Sequence, residues 1–93
     1  MENYKSLYFN EESPKYVQIA DYIKNLIDSK IIRDGDKLPT IRSLAKELSV
    51  NNVTIVSAYN KLKNEGYAYQ KVGSGSFAKR KEVTSTFRKR YSN

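Results

Sequence analysis

The chain has 93 residues, with 17 Lys/Arg against 10 Asp/Glu for a formal charge of +7, and it contains neither cysteine nor histidine. That length fits one small domain, and the composition excludes a disulfide framework, a thiolate zinc site and an imidazole general base. No apolar run approaches the ~20 residues needed to span a bilayer. The opening MENYKSLYFNEES lacks the apolar region of a signal peptide, so a cytoplasmic protein without membrane contact is expected.

The charge is segregated. Residues 1–36 hold five Lys/Arg and seven Asp/Glu, whereas residues 37–93 hold twelve and three. An excess confined to one segment points to a surface that meets a polyanion.

Residues 1–13 are mixed and polar and read as an N-terminal arm. Pro14 then opens a helical pattern, with Ser13 as N-cap and Pro14 in the first helical position. Tyr16, Ile19, Ala20, Ile23, Leu26 and Ile27 recur at spacings of three and four, which predicts a helix over 14–30. Arg33 to Pro39, RDGDKLP, reads as a turn, with Leu38 plugging the core. Thr40 is placed to cap a short helix over 41–48, whose Leu44, Ala45 and Leu48 face inward. Ser49 and Val50 connect it to a third helix capped by Asn51. Ile55, Ala58, Tyr59 and Leu62 form the inner stripe of that helix, and Gly66 supplies a left-handed stop.

Beyond Gly66 the period becomes two. Residues 67–72 read as a strand, 73–76 (GSGS) as a turn and 76–79 as a returning strand. The remainder, 80–93, reads as a basic linker or the start of a missing C-terminal region, its Lys79–Lys81 and Arg88–Arg90 clusters keeping it solvated. The expected fold is mainly α with a small β-hairpin: three helices and a two-stranded wing, a winged helix-turn-helix spanning 14–79. The aromatics Tyr16, Tyr22, Tyr59, Tyr67 and Phe77 are expected in the core or at its edge.

Four stretches stand in one order from Pro14 to Ala78: PKYVQIADYIKNLI, GDKLPTIRSLAKEL, TIVSAYNKLKNEGY and GSGSF. Together they resemble the winged helix-turn-helix domain of the GntR family of bacterial transcription regulators. TIR, AYNKL, EGY and GSGSF look most like the MocR group, and the YtrA group is the close competitor. In the MocR group such a domain is followed by a linker and a large aminotransferase-like domain that binds pyridoxal phosphate. The resemblance therefore implies a DNA-binding part of a longer regulator. No cofactor is expected in this chain, a homodimer is expected in the full-length protein, and double-stranded DNA is the partner.

The sequence departs from the family pattern at four places. Lys30 stands near the end of helix 1, where glycine is usual. Asp34 replaces a proline, and Ser49 replaces the glycine that heads the helix-turn-helix connection. Asn51 and Asn52 replace the usual Ser-Arg at the start of the reading helix.

In a helix-turn-helix the N-terminal turn of the second helix enters the major groove. With the inner stripe assigned, Asn52, Val53, Val56, Ser57 and Asn60 face outward. Asn pairs with adenine N6 and N7, Arg prefers guanine O6 and N7, and a valine can cover a thymine methyl; contact is favoured for Val53, whereas for Val56 packing against helix 2 or the wing stays open. An A/T-leaning half-site is expected. The matching family arginine, Arg42, contacts the groove edge by resemblance. Thr40 and Thr54 are candidate phosphate ligands, since hydroxyls and helix N-termini suit phosphate; for Thr54 the alternative is a hydroxyl bonded only to the backbone.

The GSG of Gly73, Ser74 and Gly75 lacks the third glycine and the following helix of a dinucleotide site. It reads as a wing tip able to approach the minor groove or a phosphate, with Lys71 adding charge. A protein-binding adaptor would need an acidic or apolar outer face on helix 3, which polar Asn and Ser oppose. An enzyme is opposed by the absence of His, Cys and a clustered carboxylate pair.

Overall fold

The computed structural model describes residues 7–80. The first six residues of the arm and the basic segment 81–93 lie outside the described residues. Three helices are followed by a hairpin: α1 (Lys15–Asp28), α2 (Ile41–Leu48), α3 (Asn52–Asn64), β1 (Ala68–Lys71) and β2 (Gly75–Ala78).

The helical stripes meet as expected. Ile19, Ile23 and Ile27 of α1, Leu44 of α2, and Ile55 and Leu62 of α3 are the largest fully buried side chains. Burying each such group is worth about 1.5–3 kcal/mol. α1 packs along α3 from behind, α2 crosses α3, and β1 leaves the end of α3. Ala68 and Ala78, paired across the hairpin, close the core at that end.

α1 begins one residue later than expected. Pro14 is its N-cap, with an extended ψ of 148° and no side-chain bond to the first turn. Ser13 does not cap. Instead its carbonyl accepts from Gln18 Nε2 at 2.7 Å. The same glutamine holds the arm, accepting from the Asn10 amide and donating to the Asn10 carbonyl, both at 3.0 Å. Leu7 and Phe9 thereby lie against the core.

All three helices stop by one device. The residue after the stop takes a left-handed conformation, and the next amide reaches back to the last full turn. At α1 it is Lys30 (φ 65°), with Ile31 N–H to Leu26 O at 2.9 Å. At α2 it is Ser49 (φ 58°), with Val50 N–H to Ala45 O at 2.9 Å. At α3 it is Gly66 (φ 84°), with Tyr67 N–H to Leu62 O at 2.8 Å. Lys30 and Ser49 are two of the positions where the family pattern has glycine. The backbone at both keeps the shape a glycine would adopt.

The wing differs from its expected outline. β1 ends at Lys71 and β2 starts at Gly75, so Val72, Gly73 and Ser74 form the turn, closed by Ser74 N–H to Lys71 O at 2.9 Å. Gly73, third of that turn, has φ 81°, which a type II geometry requires. Val72, expected at a strand end, stands at the tip and is fully exposed.

The segment read as a plain turn, RDGDKLP, is also part of the wing. Leu38 N–H donates to Ser76 O at 2.9 Å, and Ala78 N–H donates to Asp36 O at 2.8 Å. Lys37 bridges Phe77 antiparallel, on the far side of β2 from β1. The outer edge of β2 is thus covered, which leaves the wing no long open edge there. Asp34 Oδ1 accepts from the Arg80 amide at 2.8 Å, pinning the exit of the chain.

Candidate nucleic-acid interface

α3 begins with two linked bonds. Asn51 Oδ1 accepts from the Val53 amide at 2.9 Å, and the Asn51 carbonyl accepts from the Thr54 amide at 3.0 Å. The cap satisfies orphan donors of the first turn. What that turn offers outward is therefore side chains: Asn52, Val53 and, half-covered, Thr54.

At roughly 100° per residue, Asn52, Val53, Val56, Asn60 and Lys63 share one arc of α3, beside the core stripe and clear of it. All are exposed, with Val53 at 68% and Val56 at 38%. Val53 packs against nothing that would account for it as a core residue. Val56 is partly sheltered. Ser57 lies at the edge of the arc and is half-buried.

α2 is positioned by two bonds. Thr40 Oγ1 accepts from the Ser43 amide at 3.1 Å, the expected cap. Tyr59 of α3, itself buried, donates its hydroxyl to Pro39 O at 2.7 Å. That bond ties the start of α2 to the inner side of α3. Arg42, in the first turn of α2, is exposed and has no hydrogen bond or ion pair with another described residue. Asp36, a conceivable partner, instead accepts from the Arg33 amide at 2.8 Å.

In the wing, Tyr69 pairs across from Phe77 and the rings stack with centroids 5.6 Å apart. Lys71 sits with its ammonium 5.9 Å from the Phe77 centroid. Lys71, Gly73, Ser74 and Gly75 are all exposed at the hairpin end. Val72, expected in the strand over 67–72, is a tip residue; a β-branched residue next to the GSGS turn carries no local signal of where the strand stops.

Tyr16 departs from its expected place. It is exposed, and with Ser57, Asn60, Lys61, Asn64 and Glu65 it lines an open groove between α1 and α3. Of the other expected core aromatics, Tyr59 is buried, and Tyr22 and Tyr67 pack at the core edge. Phe77 is half-buried.

From Lys37 to Arg80 the chain carries eight Lys/Arg and two carboxylates. One of those, Glu65, is already engaged: its carboxylate meets Lys24 Nζ at 2.5 Å and Lys61 Nζ at 2.6 Å. Those two ammonium groups, Lys24 first, hold its pKa down to about 2. The helix-turn-helix and wing therefore present net positive charge with little acidic relief.

A capped reading helix, a preceding helix crossing it and a basic hairpin beside both define a winged helix-turn-helix DNA-binding domain. The family description "Bacterial regulatory proteins, gntR family" matches residues 15–77. The chain belongs to the GntR family, and it is the DNA-binding domain of a transcription regulator of that family.

The pyridoxine biosynthesis transcriptional regulator PdxR of Corynebacterium glutamicum is 39% identical over 59 residues, which is 63% of this chain and 13% of that protein. The structure of YtrA from Sulfolobus acidocaldarius, a GntR-family transcription factor, is 38% identical with a TM-score of 0.73, covering 85% of this chain and 83% of that one. The AraR DNA-binding domain in complex with operator ORX1 is 30% identical with a TM-score of 0.68, covering 77% and 92%. The chain spans between 13% and 57% of the length of the first curated relatives it matches.

Proposed function

We propose that this domain reads a specific double-stranded operator, with the first half of α3 in the major groove. The observation that carries this is the exposed arc of Asn52, Val53, Val56 and Asn60, cleared of packing duty and held at its start by the Asn51 cap. Asn52 contacts an adenine edge, and Val53 and Val56 cover thymine methyls. Ser57 and Asn60 extend the contact down the groove. Arg42, Thr40 and Thr54 fix the register on phosphate or groove edge, and Asn51 orients the turn they flank. Lys71 and the Gly73–Ser74–Gly75 backbone meet phosphate or the minor groove.

Most of the affinity comes from phosphate neutralisation and falls steeply with salt. One domain covers few base pairs, so tight binding comes from a homodimer assembled by another part of the protein. The protein acts in the cytoplasm, where its operator lies, and serves as a regulator and not as an enzyme.

In the MocR-like reading the domain heads a longer protein whose pyridoxal phosphate lies beyond Asn93. In the YtrA-like reading it heads a short regulator. The described lysines do not fit a Schiff-base role themselves, because none is buried. Sequencing the reading frame past Asn93 separates the two readings.

The test of specificity is selection of binding sites from a random duplex pool, followed by the same selection with Asn52→Arg. The wild-type chain is expected to select an A/T-leaning half-site, and the variant to gain a guanine. A G/C-only core for the wild type would overturn the assignment.

A further inference from the structure

The wing carries a cation that does not belong to the hairpin. Lys37 lies in the loop before α2, yet its backbone is built into the wing. It bridges Phe77, and its neighbours Asp36 and Leu38 each exchange a main-chain bond with β2. Residues directly opposite in a sheet share a face. Lys37 therefore stands on the same face as Phe77 and Tyr69, and by alternation with Gly75 and Lys71.

Its stem crosses Gly75. A Cβ at Gly75 would sit 3.3 Å from Lys37 Cε, tighter than ordinary carbon contact. The bare glycine leaves a lane through which the lysine passes toward the hairpin end, where Lys71 is the direct partner of Gly75. Lys37 is exposed and has no hydrogen bond or ion pair with another described residue. Two acids close in sequence each accept a backbone bond: Asp36 from the Arg33 amide and Asp34 from the Arg80 amide.

We infer that Lys37 is a phosphate-contacting residue of the wing, delivered over Gly75 to form a two-lysine clamp with Lys71. The inference rests on DNA binding by this domain and adds a contact from outside the hairpin. Backbone pairing on both sides of Lys37 fixes the base of its side chain, so less freedom is lost when the ammonium meets a phosphate. Lys71 is similarly held, by the face of Phe77. Two restrained cations at one end of a sheet face suit a phosphodiester backbone running past the wing.

The test is the salt dependence of binding to a short fluorescein-labelled mixed-sequence duplex, using the full chain. Lys37→Gln is expected to weaken binding several-fold at low salt and to flatten the slope of log K against log salt by about 0.9, the value of one phosphate contact. Lys37→Arg is expected to retain the slope. Lys30→Gln, which removes an equal charge at the end of α1, is expected to leave the slope unchanged. Circular dichroism checks that each variant is folded. An unchanged slope for Lys37→Gln overturns the inference. An equal loss for Lys30→Gln also overturns it, since net charge alone would then explain the effect.

Discussion

In the proposed reading, Arg42 and Asn52 would divide the work of recognition at the scale of single residues. Arg42 projects from a turn whose position is fixed by the Thr40 cap and the Tyr59 bond to Pro39. Its guanidinium meets no carboxylate among the described residues, so a contact with DNA would cost it no partner there. Arg42→Ala is expected to reduce DNA affinity by roughly 1–3 kcal/mol, with an unchanged circular dichroism spectrum. Unaltered affinity in a titration of the selected duplex would remove Arg42 from the interface. Asn52 has the opposite character. In the proposed reading it makes a short, uncharged contact, and its loss is expected to alter which sequence is preferred more than how strongly phosphate is held.

At the scale of elements, the repeated helix stop is the clearest feature. A left-handed residue with a Cβ is roughly 1–2 kcal/mol less favourable than glycine there, partly offset by the greater freedom glycine has when unfolded. Ser49→Gly is therefore expected to stabilise the domain by about 0.5 kcal/mol, read as a higher midpoint in urea with an unchanged m-value. A lower midpoint would show that the Ser49 side chain contributes something its backbone does not reveal. The position matters because Ser49 lies in the short connection between α2 and α3. The wing is a second case: covering β2 with residues 36–38 turns a two-stranded ribbon, marginal by itself, into part of the core's end wall.

At the scale of the whole molecule, Glu65 joins the helix that closes the core to the helix that reads. Lys24 comes from α1 and Lys61 from the last turn of α3, and both meet one carboxylate. Its pKa is lowered from 4.5 to about 2 by those ammonium groups. A carboxylate depressed by folding contributes stability that is fully present above its unfolded pKa and is lost as pH falls through its folded one. The loss is expected between about pH 4.5 and 2. Because the pair is partly solvated, the contribution is about 1 kcal/mol or less. Glu65→Gln should flatten the acid limb of a stability–pH profile in that window while leaving the neutral operator preference unchanged. An identical acid limb in the variant would show that the ion pairs contribute nothing to folding.

Local chemistry alone determined much of this protein. The periodicity of α1 and α3, the caps Thr40 and Asn51, the left-handed Gly66 and the change to period two each depend on a few adjacent residues. The outward arc of α3 followed from them, since assigning Ile55, Ala58, Tyr59 and Leu62 to the core leaves only one other side. The ends of the elements were less legible. Whether Ser13 or Pro14 caps α1 turned on Gln18 taking the Ser13 carbonyl. Whether Tyr16 was core turned on the open groove beside α3.

Only the tertiary structure decided which distant residues share a surface. Asp36 to Leu38 pair with β2 across about forty residues of chain, a separation that no window of periodicity spans. Lys24 finds Glu65 because α1 packs along α3, and Lys37 stands in the wing because residues 36–38 pair with β2. Short-range preferences choose helices, turns and faces. Long-range pairing and packing choose which charges stand together.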